Sequence, residues 1–198
     1  YNQIAMEIYP KLKEIVKGSE DRLHTAAKLA VAGNIIDLGI LKEFDLEETI
    51  QHALETGFAI DHFPQFRERL SECSKLLYIL DNAGEIVFDR VFIEELQKKL
   101  EVVGVVKGGP ILNDATWDDV KQTGLDKVTR VIDNGSDMVG TVLELCSEGF
   151  RREFNEADII ISKGQANYET LDEEDKDIFF ILKAKCEVIA KNLGVEVG

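Results

Sequence analysis

From residue 76 onward the chain alternates short strand-like runs with segments of helical periodicity. The runs are Leu76–Leu80, Val102–Val106, Lys127–Ile132 and Asp158–Ile161. Apolar runs of this length, bounded by polar or glycine-containing segments, are typical of buried strands in parallel sheets. Because helical segments separate them, the order predicts an α/β fold: a mostly parallel sheet with flanking helices, in a Rossmann-like three-layer arrangement with right-handed crossovers.

The intervening and preceding segments give the remaining elements. Helices are predicted at Ile86–Leu100, Trp117–Lys121 and Val139–Phe154, and a last strand at Cys186–Ala190; Ile178–Lys185 fits helix or strand. The first third is predicted to be helical, with segments at Ile4–Val16, Leu23–Ala32, a helix capped by Asp45 that runs to Leu54, and Pro64–Cys73. We therefore expect a helical region (1–73) that packs over a site on an α/β core (74–198), as one structural unit.

Composition narrows the classes of partner. The 198 residues carry 23 Lys and Arg against 38 Asp and Glu, a formal net charge of −15, which argues against a nucleic-acid partner. The sequence contains no apolar run of membrane-spanning length and no signal-peptide pattern. Its three widely spaced cysteines form neither a zinc motif nor a disulfide framework, so a reducing cytoplasm is expected. The first residues, without an initiator Met, lead us to expect a fragment that lacks an N-terminal part. The oligomeric state is not predicted.

Polar, glycine-bearing segments follow the four predicted strands. They are Asp81–Glu85, Lys107–Thr116, Asp133–Ser136 and Ser162–Tyr168. The carboxyl ends of parallel strands share one edge of a sheet, where α/β proteins bind ligands. Carboxylate and amide oxygens at that edge suit a hard divalent cation. Lys107 and Lys163, at the ends of buried strands, need anionic partners.

Each segment alone has a simpler interpretation, because Asp, Asn and Gly are ordinary residues of turns and helix caps. His24, His52 and His62 lie in the helical third without metal-ligand spacing. The sequence lacks a GxSxG elbow, a GxxxxGK[ST] loop and a GxGxxG fingerprint after the first strand. Ala83 occupies the second position of a possible Asp-x-Asp pair, which argues against an aspartyl-phosphate mechanism of the haloacid dehalogenase type.

Taken together, these segments resemble the family once called domain of unknown function 89, now regarded as metal-dependent damage-control phosphatases, and in particular its archaeal and bacterial branch. The residues that carry the resemblance are Ala32-Gly33-Asn34-Ile35-Ile36-Asp37, Asp81-Asn82-Ala83-Gly84-Glu85, Gly108-Gly109-Pro110-Ile111-Leu112-Asn113-Asp114-Ala115-Thr116, Asp133-Asn134-Gly135-Ser136 and Lys163-Gly164-Gln165-Ala166-Asn167-Tyr168. The match covers nearly the whole chain. The Cys-rich N-terminal segment of this branch is absent from the sequence.

The resemblance implies a metal-dependent phosphatase that acts on small phosphoesters such as sugar phosphates or damaged phosphometabolites. Asp81, Asn82 and Asp114 would hold the metal, which could be Mg²⁺, Mn²⁺, Co²⁺ or Ni²⁺. The resemblance also implies phosphate contacts from Lys163 with Gly164 and from Lys183, and a position over the site for Asn34. Asn167 would hold a loop or contact the substrate.

The mechanism and two rival functions stay open at this point. A carboxylate such as Glu85 would orient the attacking water, unless Asp81 itself is the nucleophile. An S-adenosylmethionine-dependent methyltransferase would use a similar sheet, but Lys107 stands at the end of the second strand, where an acidic residue would be needed for the ribose. A non-catalytic module that retains a metal and phosphate pocket is the other alternative.

Overall fold

The computed structural model describes residues 1–35, 43–184 and 186–197, and these form an α/β fold, as predicted. Four helices come first: α1 (Asn2–Gly18), α2 (Arg22–Ile35), α3 (Glu43–Glu55) and α4 (Phe63–Leu70). Strands and helices then alternate: β1 (Lys75–Ile79), α5 (Glu85–Leu96), β2 (Glu101–Val106), α6 (Trp117–Thr123), β3 (Arg130–Asp133), α7 (Glu148–Glu156), β4 (Ile159–Lys163), α8 (Gln165–Leu171), β5 (Ile178–Ile181) and α9 (Glu187–Leu193). Ile36, Asp37 and Lys185, named above, lie outside the described residues.

The five strands form one parallel sheet in the order β3-β2-β1-β4-β5. β1 lies at the centre, with Tyr78 opposite Gly104 of β2 and Ile161 of β4. The chain proceeds outward from β1 through β2 to β3 and then returns to place β4 on the other side. The strand order therefore reverses beside β1, and open α/β sheets bind ligands at the carboxyl ends of the strands at such a point.

Alternating side chains of the central strands fill two apolar layers. Leu76, Tyr78 and Leu80 face a core formed with α1, α2 and α5, whereas Leu77 and Ile79 face a second core that α7 completes with Phe150 and Phe154. This alternation follows from the two-residue period of a strand. The helical N-terminal region belongs to the first core and packs directly on α5.

The first helix, α1, is amphipathic. α1 buries Ala5, Leu12 and Val16, while Lys11 and Lys17 on the same helix are exposed. No helix in the described ranges has both the length and the apolar composition needed to cross a bilayer.

The predicted last strand at Cys186–Ala190 is wrong. This segment contributes to α9, and Ile178–Ile181, which fitted either element, is the last strand of the described sheet, paired with β4 from Ile160↔Ile178 onward. In α9 Ile189 and Ala190 are both buried whereas Val188 is 75% exposed. Two adjacent buried positions fit a helix face better than the strict alternation of a half-buried strand.

The predicted helix at Val139–Phe154 is too long. Gly140 has a left-handed φ of +73°, residues Leu143–Leu145 form a short 3-10 helix, and α7 begins only after Ser147. The Ser147 side chain accepts the backbone N–H of Phe150 and so caps the helix. Smaller differences affect other ends: α5 stops at Leu96, β3 begins at Arg130, α4 stops at Leu70, and α3 begins at Glu43, which places Asp45 inside the helix.

Candidate active site

Two loops that follow neighbouring strands pair through their backbones at the carboxyl edge of the sheet. Asn82 and Asp114 form an isolated antiparallel bridge. The flanking bonds run from Ala115 N to Asp81 O (2.7 Å) and from Ala83 N to Asn113 O (2.8 Å). Residues directly opposite in such a bridge have Cα atoms only about 4.5–5.5 Å apart. The predicted metal ligands, which are more than thirty residues apart in sequence, are therefore neighbours in the structure.

The turn that leads to Asp114 is strained. Leu112 has a positive φ of 47° and a side chain that is 82% exposed, and a bulky residue rarely adopts that conformation. The turn closes with a bond from Asp114 N to Ile111 O of 3.0 Å. Strain of this kind is often found at functional sites, and here it occurs two residues before a candidate ligand.

Two amides and one glycine of the described residues contact or crowd the Asp81 carboxylate. Its Oδ2 accepts Asn82 Nδ2 at 2.8 Å and Asn34 Nδ2 at 3.2 Å. Gly164, directly after β4, has a φ of +83°, and a Cβ at this position would lie 2.0 Å from Asp81 Oδ2. Gly164 is therefore required both for its backbone conformation and for the space that the carboxylate occupies.

Asn34, which was predicted to lie over the site, joins three parts of the candidate site through hydrogen bonds. From α2 its Nδ2 donates to Asp81 and to both oxygens of Glu85 (3.2 and 3.1 Å), and its Oδ1 accepts the backbone N–H of Lys183 at 3.1 Å. The residue is 4% exposed. The backbone at Lys183, beyond β5, is thus tied to the carboxylates beside β1.

Glu85 is the first residue of α5, where the partial positive charge of a helix N-terminus favours a carboxylate. It is 3% exposed. Its oxygens accept Asn82 Nδ2 at 3.2 Å, both bonds from Asn34, and a short bond from Lys163 Nζ. This carboxylate therefore links the candidate metal ligands to a buried lysine.

The Lys163 ammonium is completely buried and has three acceptors. It donates to Ala30 O at 3.0 Å, to Asp89 Oδ1 at 2.7 Å and to Glu85 Oε1. Burial alone would lower the pKa of Lys163, but the carboxylates of Asp89 and Glu85 raise it above its ordinary value. The anionic partners expected for this lysine are therefore protein carboxylates. Contact between Lys163 and a phosphate stays a prediction, and it would require the ammonium to exchange one of these partners.

Asp89 and Tyr78 extend this cluster into the core. Tyr78 Oη donates to Asp89 Oδ1 at 2.6 Å, and both side chains are completely buried. Burial raises the pKa of Asp89 to about 6 although Lys163 opposes the shift, and burial together with Asp89 raises the pKa of Tyr78. Neither residue was predicted from the sequence. The available signal was the spacing, since Asp89 lies four residues after Glu85 in α5, separated from it by three apolar residues, Ile86–Phe88.

Lys107 supports the second loop. Its side chain is 4% exposed, and its Nζ lies 3.4 Å from Asp114 Oδ2 and donates to the carbonyl oxygens of Met138 (3.0 Å) and Gly140. Burial raises the pKa of Asp114, and the Lys107 ammonium partly reverses that shift. The anionic partner expected for Lys107 is thus Asp114, a candidate metal ligand.

Asn167 lies beneath the site, with its amide fully engaged. Its Nδ2 donates to Lys163 O (2.9 Å) and Leu80 O (3.4 Å), and its Oδ1 accepts Thr141 Oγ1 at 2.8 Å. Of the two roles expected for Asn167, these contacts correspond to loop support. Asn134 plays a similar part between the second and third loops, because its Oδ1 accepts the backbone N–H groups of Gly108 and Ser136.

The donor chemistry of this cluster suits a divalent cation. Among the described residues this cluster brings together four carboxylates (Asp81, Glu85, Asp89 and Asp114) and the two buried ammonium groups of Lys107 and Lys163. Asn82 turns Nδ2 toward Asp81 and Glu85, so its oxygen faces away from them. Across the described ranges no three His, Cys, Asp or Glu side chains converge as a metal site by themselves, so an ion here would depend on the Asn82 oxygen and on ligands from outside the protein.

Two cavities lie along the outer strands of the sheet. One, of about 380 Å³, lies beside β3 and is lined by Trp117 and Arg130. The other, of about 960 Å³, runs along β5 and includes Lys183 in its lining. Neither of these two cavities is lined by Asp81 or Asp114.

Comparison with known proteins identifies the family. The family model for the damage-control phosphatase ARMT1-like domain matches residues 1–198. The chain is 41% identical over 203 residues to a damage-control phosphatase of Pyrococcus horikoshii and 35% identical over 204 residues to a damage-control phosphatase of Archaeoglobus fulgidus. It covers 71% and 70% of those proteins, and all of it is aligned.

Two further similarities agree with this result. An uncharacterized protein of Methanocaldococcus jannaschii is 44% identical over 207 residues, which cover all of the chain and 68% of that protein. The crystal structure of a DUF89 family protein from P. horikoshii superimposes with a TM-score of 0.89 at 41% identity, over all of this chain and 71% of the other. The chain therefore belongs to the damage-control phosphatase ARMT1-like family, the DUF89 family that its motifs resemble.

Proposed function

We propose that the protein hydrolyses small phosphoesters with the help of a divalent cation held by Asp81, Asn82 and Asp114. One observation carries the proposal: the backbone bridge that joins Asn82 to Asp114 beside Asp81, within a carboxylate-rich cluster. The names of the relatives from P. horikoshii and A. fulgidus support a phosphatase over the methyltransferase alternative.

A cation at this position would polarise a phosphoryl oxygen and neutralise charge that develops during phosphoryl transfer. The chain supplies the orientation. Asn34 and Asn82 hold the Asp81 carboxylate in one pose, and Gly164 gives it room. Lys107 offsets part of the charge on Asp114. These contacts hold the oxygen donors in place before any ligand binds, which is how a site avoids reorganisation during the reaction.

The substrate phosphate would meet Lys183, which is half-buried beyond β5 and whose backbone is bonded to Asn34. Glu85, next to Asn82, would orient the attacking water and accept its proton. Water adds to phosphorus, the ester P–O bond breaks, and the alcohol leaves with a proton, so inorganic phosphate is released. Sugar phosphates and damaged phosphometabolites are the proposed substrates.

The test is a phosphate-release assay over sugar phosphates and nucleotides, with Mg²⁺, Mn²⁺, Co²⁺ or Ni²⁺ added in turn. We expect release with at least one metal, abolition by a chelator, and recovery when the metal is returned. Asp81→Asn should lose about 100-fold or more in rate, since a cation ligand is removed. Asp175→Asn is the matched control, because Asp175 is exposed and lies just before β5, at the opposite edge of the sheet.

Two results would contradict the proposal. Full activity of Asp81→Asn would show that this cluster takes no part in the reaction. Binding of Mn²⁺ without turnover of any phosphoester in the panel would favour the non-catalytic binding module instead.

A further inference from the structure

The buried ion cluster behind the candidate site needs an explanation, because burying charges is costly unless they are paired well. Lys163 and Asp89 are 0% exposed and Glu85 is 3% exposed. They come from two elements, β4 for the lysine and α5 for both carboxylates, and α2 adds the carbonyl oxygen of Ala30. A purely apolar core would be simpler at such a place, so the cluster invites a functional interpretation.

The cluster is continuous with the candidate metal ligands through hydrogen bonds. Tyr78 donates to Asp89, Asp89 and Glu85 share the Lys163 ammonium, and Glu85 accepts from Asn34 and Asn82. Those two amides are the groups that donate to Asp81. Each of the two amides thus bonds Glu85 and Asp81 at once, and a displacement of Glu85 changes the partners of both.

We propose that Asp89 is a positioning residue of the metal site: together with Tyr78 it holds Lys163, and Lys163 holds Glu85 where Asn34 and Asn82 orient Asp81. The proposal rests on the proposed function, since it concerns the same site. In this proposal Lys163 supports the site from within the protein, and its ammonium group is already satisfied by its three acceptors. Asp89 never contacts the ligand and acts only through the lysine.

The physical argument concerns how one ammonium is shared. With Asp89 charged, Lys163 stands between two carboxylates, at 2.7 Å from Asp89 Oδ1 and in a short bond to Glu85. Without the Asp89 charge, Glu85 is the one carboxylate left to the ammonium, which moves toward it. The hydrogen bonds that the Asn34 and Asn82 amides donate to the Glu85 oxygens then become weaker. Partners behind metal ligands commonly change metal affinity by about 10–100-fold when they are altered.

The experiment measures Mn²⁺ affinity by titration calorimetry, at a temperature at which each variant is folded. Asp89→Asn keeps the shape of the side chain and removes its charge, and we expect Mn²⁺ to bind at least about tenfold more weakly. Tyr78→Phe removes only the hydroxyl that donates to Asp89, and we expect a loss of between about two- and tenfold.

A similar cluster on the same helix provides the control. Glu94, in α5, accepts Tyr9 Oη at 2.5 Å and Lys13 Nζ, and it is about 14 Å along the helix from Glu85. Glu94→Gln and Tyr9→Phe therefore repeat the same chemical changes away from the site. We expect both to lower the melting temperature and to leave Mn²⁺ affinity within about twofold of the wild type.

A double-mutant cycle tests whether Asp89 acts through Glu85. If it does, the variant with both Glu85→Gln and Asp89→Asn binds Mn²⁺ no more weakly than Glu85→Gln alone. Additive losses would overturn the proposal, because they would mean that Asp89 acts on the ion independently. Wild-type affinity in Asp89→Asn would overturn it too. If Asp89→Asn does not fold, Tyr78→Phe decides: wild-type affinity in that variant overturns the proposal. Failure of the wild type to bind Mn²⁺ would instead contradict the proposed function itself.

Discussion

Gly164→Ala tests directly whether the pose of Asp81 matters. The new Cβ would lie 2.0 Å from Asp81 Oδ2 and 2.3 Å from its Cγ, whereas ordinary contact begins at 3.4 Å. The carboxylate must therefore retreat by about 1.4 Å, the difference between 3.4 and 2.0 Å. Bonds of 2.8 and 3.2 Å from Asn82 and Asn34 do not survive a displacement of that size.

The change should affect function more than stability. A misplacement of about 1 Å in a reacting site costs about 100-fold, so we expect Mn²⁺ affinity and phosphate release to fall by about two orders of magnitude. The backbone at Gly164, with φ +83° and ψ 160°, lies in a region used almost only by glycine. Its strain with alanine is about 1–3 kcal/mol, which lowers the melting temperature by about 2–4 °C per kcal/mol in a chain of this size.

Gly194→Ala separates strain from the clash. Gly194 also has a positive φ, +71°, but a Cβ there would meet nothing within 4 Å. We expect this variant to lose about 1–2 kcal/mol of stability and to keep Mn²⁺ affinity and activity. Calorimetry with Mn²⁺, phosphate release and thermal unfolding, performed on both variants, complete the test. Equal Mn²⁺ affinities in the two would refute the claim that Gly164 makes room for a functional carboxylate.

Three further predictions concern stability, and denaturant unfolding checks each. Folding raises the pKa of Asp89 from 3.8 to about 6, so its contribution favours the folded state at low pH and is lost as the pH rises through about 6. The free energy of unfolding of the wild type minus that of Asp89→Asn should therefore fall between about pH 4 and pH 7. A constant difference would contradict this. Arg130 and Lys75 lower the pKa of Glu153 from 4.5 to about 2. Glu153→Gln should therefore reduce the free energy of unfolding by about 1 kcal/mol at neutral pH and by less at about pH 3. An equal loss at both pH values would count against the ion pairs. Ser147→Ala removes the cap of α7 and should cost about 1 kcal/mol; an unchanged free energy of unfolding would show that the cap contributes nothing.

The fold was predictable from the sequence because its strands are short and apolar and its helices separate them. The assignment was wrong where local pattern and tertiary context disagree. Cys186–Ala190 has the composition of a strand but folds as part of α9, and Ile178–Ile181 is ambiguous alone and becomes a strand by pairing with β4. Gly140 interrupts a helical pattern through a left-handed φ that the periodicity does not reveal.

The proximity of the candidate ligands was predictable for the same reason. Asp81, Asn82 and Asp114 follow the ends of adjacent parallel strands, so topology brings them together. The partner of each buried lysine was not predictable, because contacts such as Lys163 with Asp89 join residues 74 positions apart through side-chain packing. Tyr78 looked like an ordinary core residue of β1, and only the structure shows that its hydroxyl meets a buried carboxylate.

The central claim is that Asp81, Asn82 and Asp114 together hold a divalent cation. A crystal soaked with Mn²⁺ and measured for anomalous scattering tests it most directly. The account predicts one strong anomalous peak, within about 2.0–2.6 Å of oxygen atoms from Asp81, Asn82 and Asp114. A map with no peak there, or with manganese bound only at other carboxylates, would contradict it.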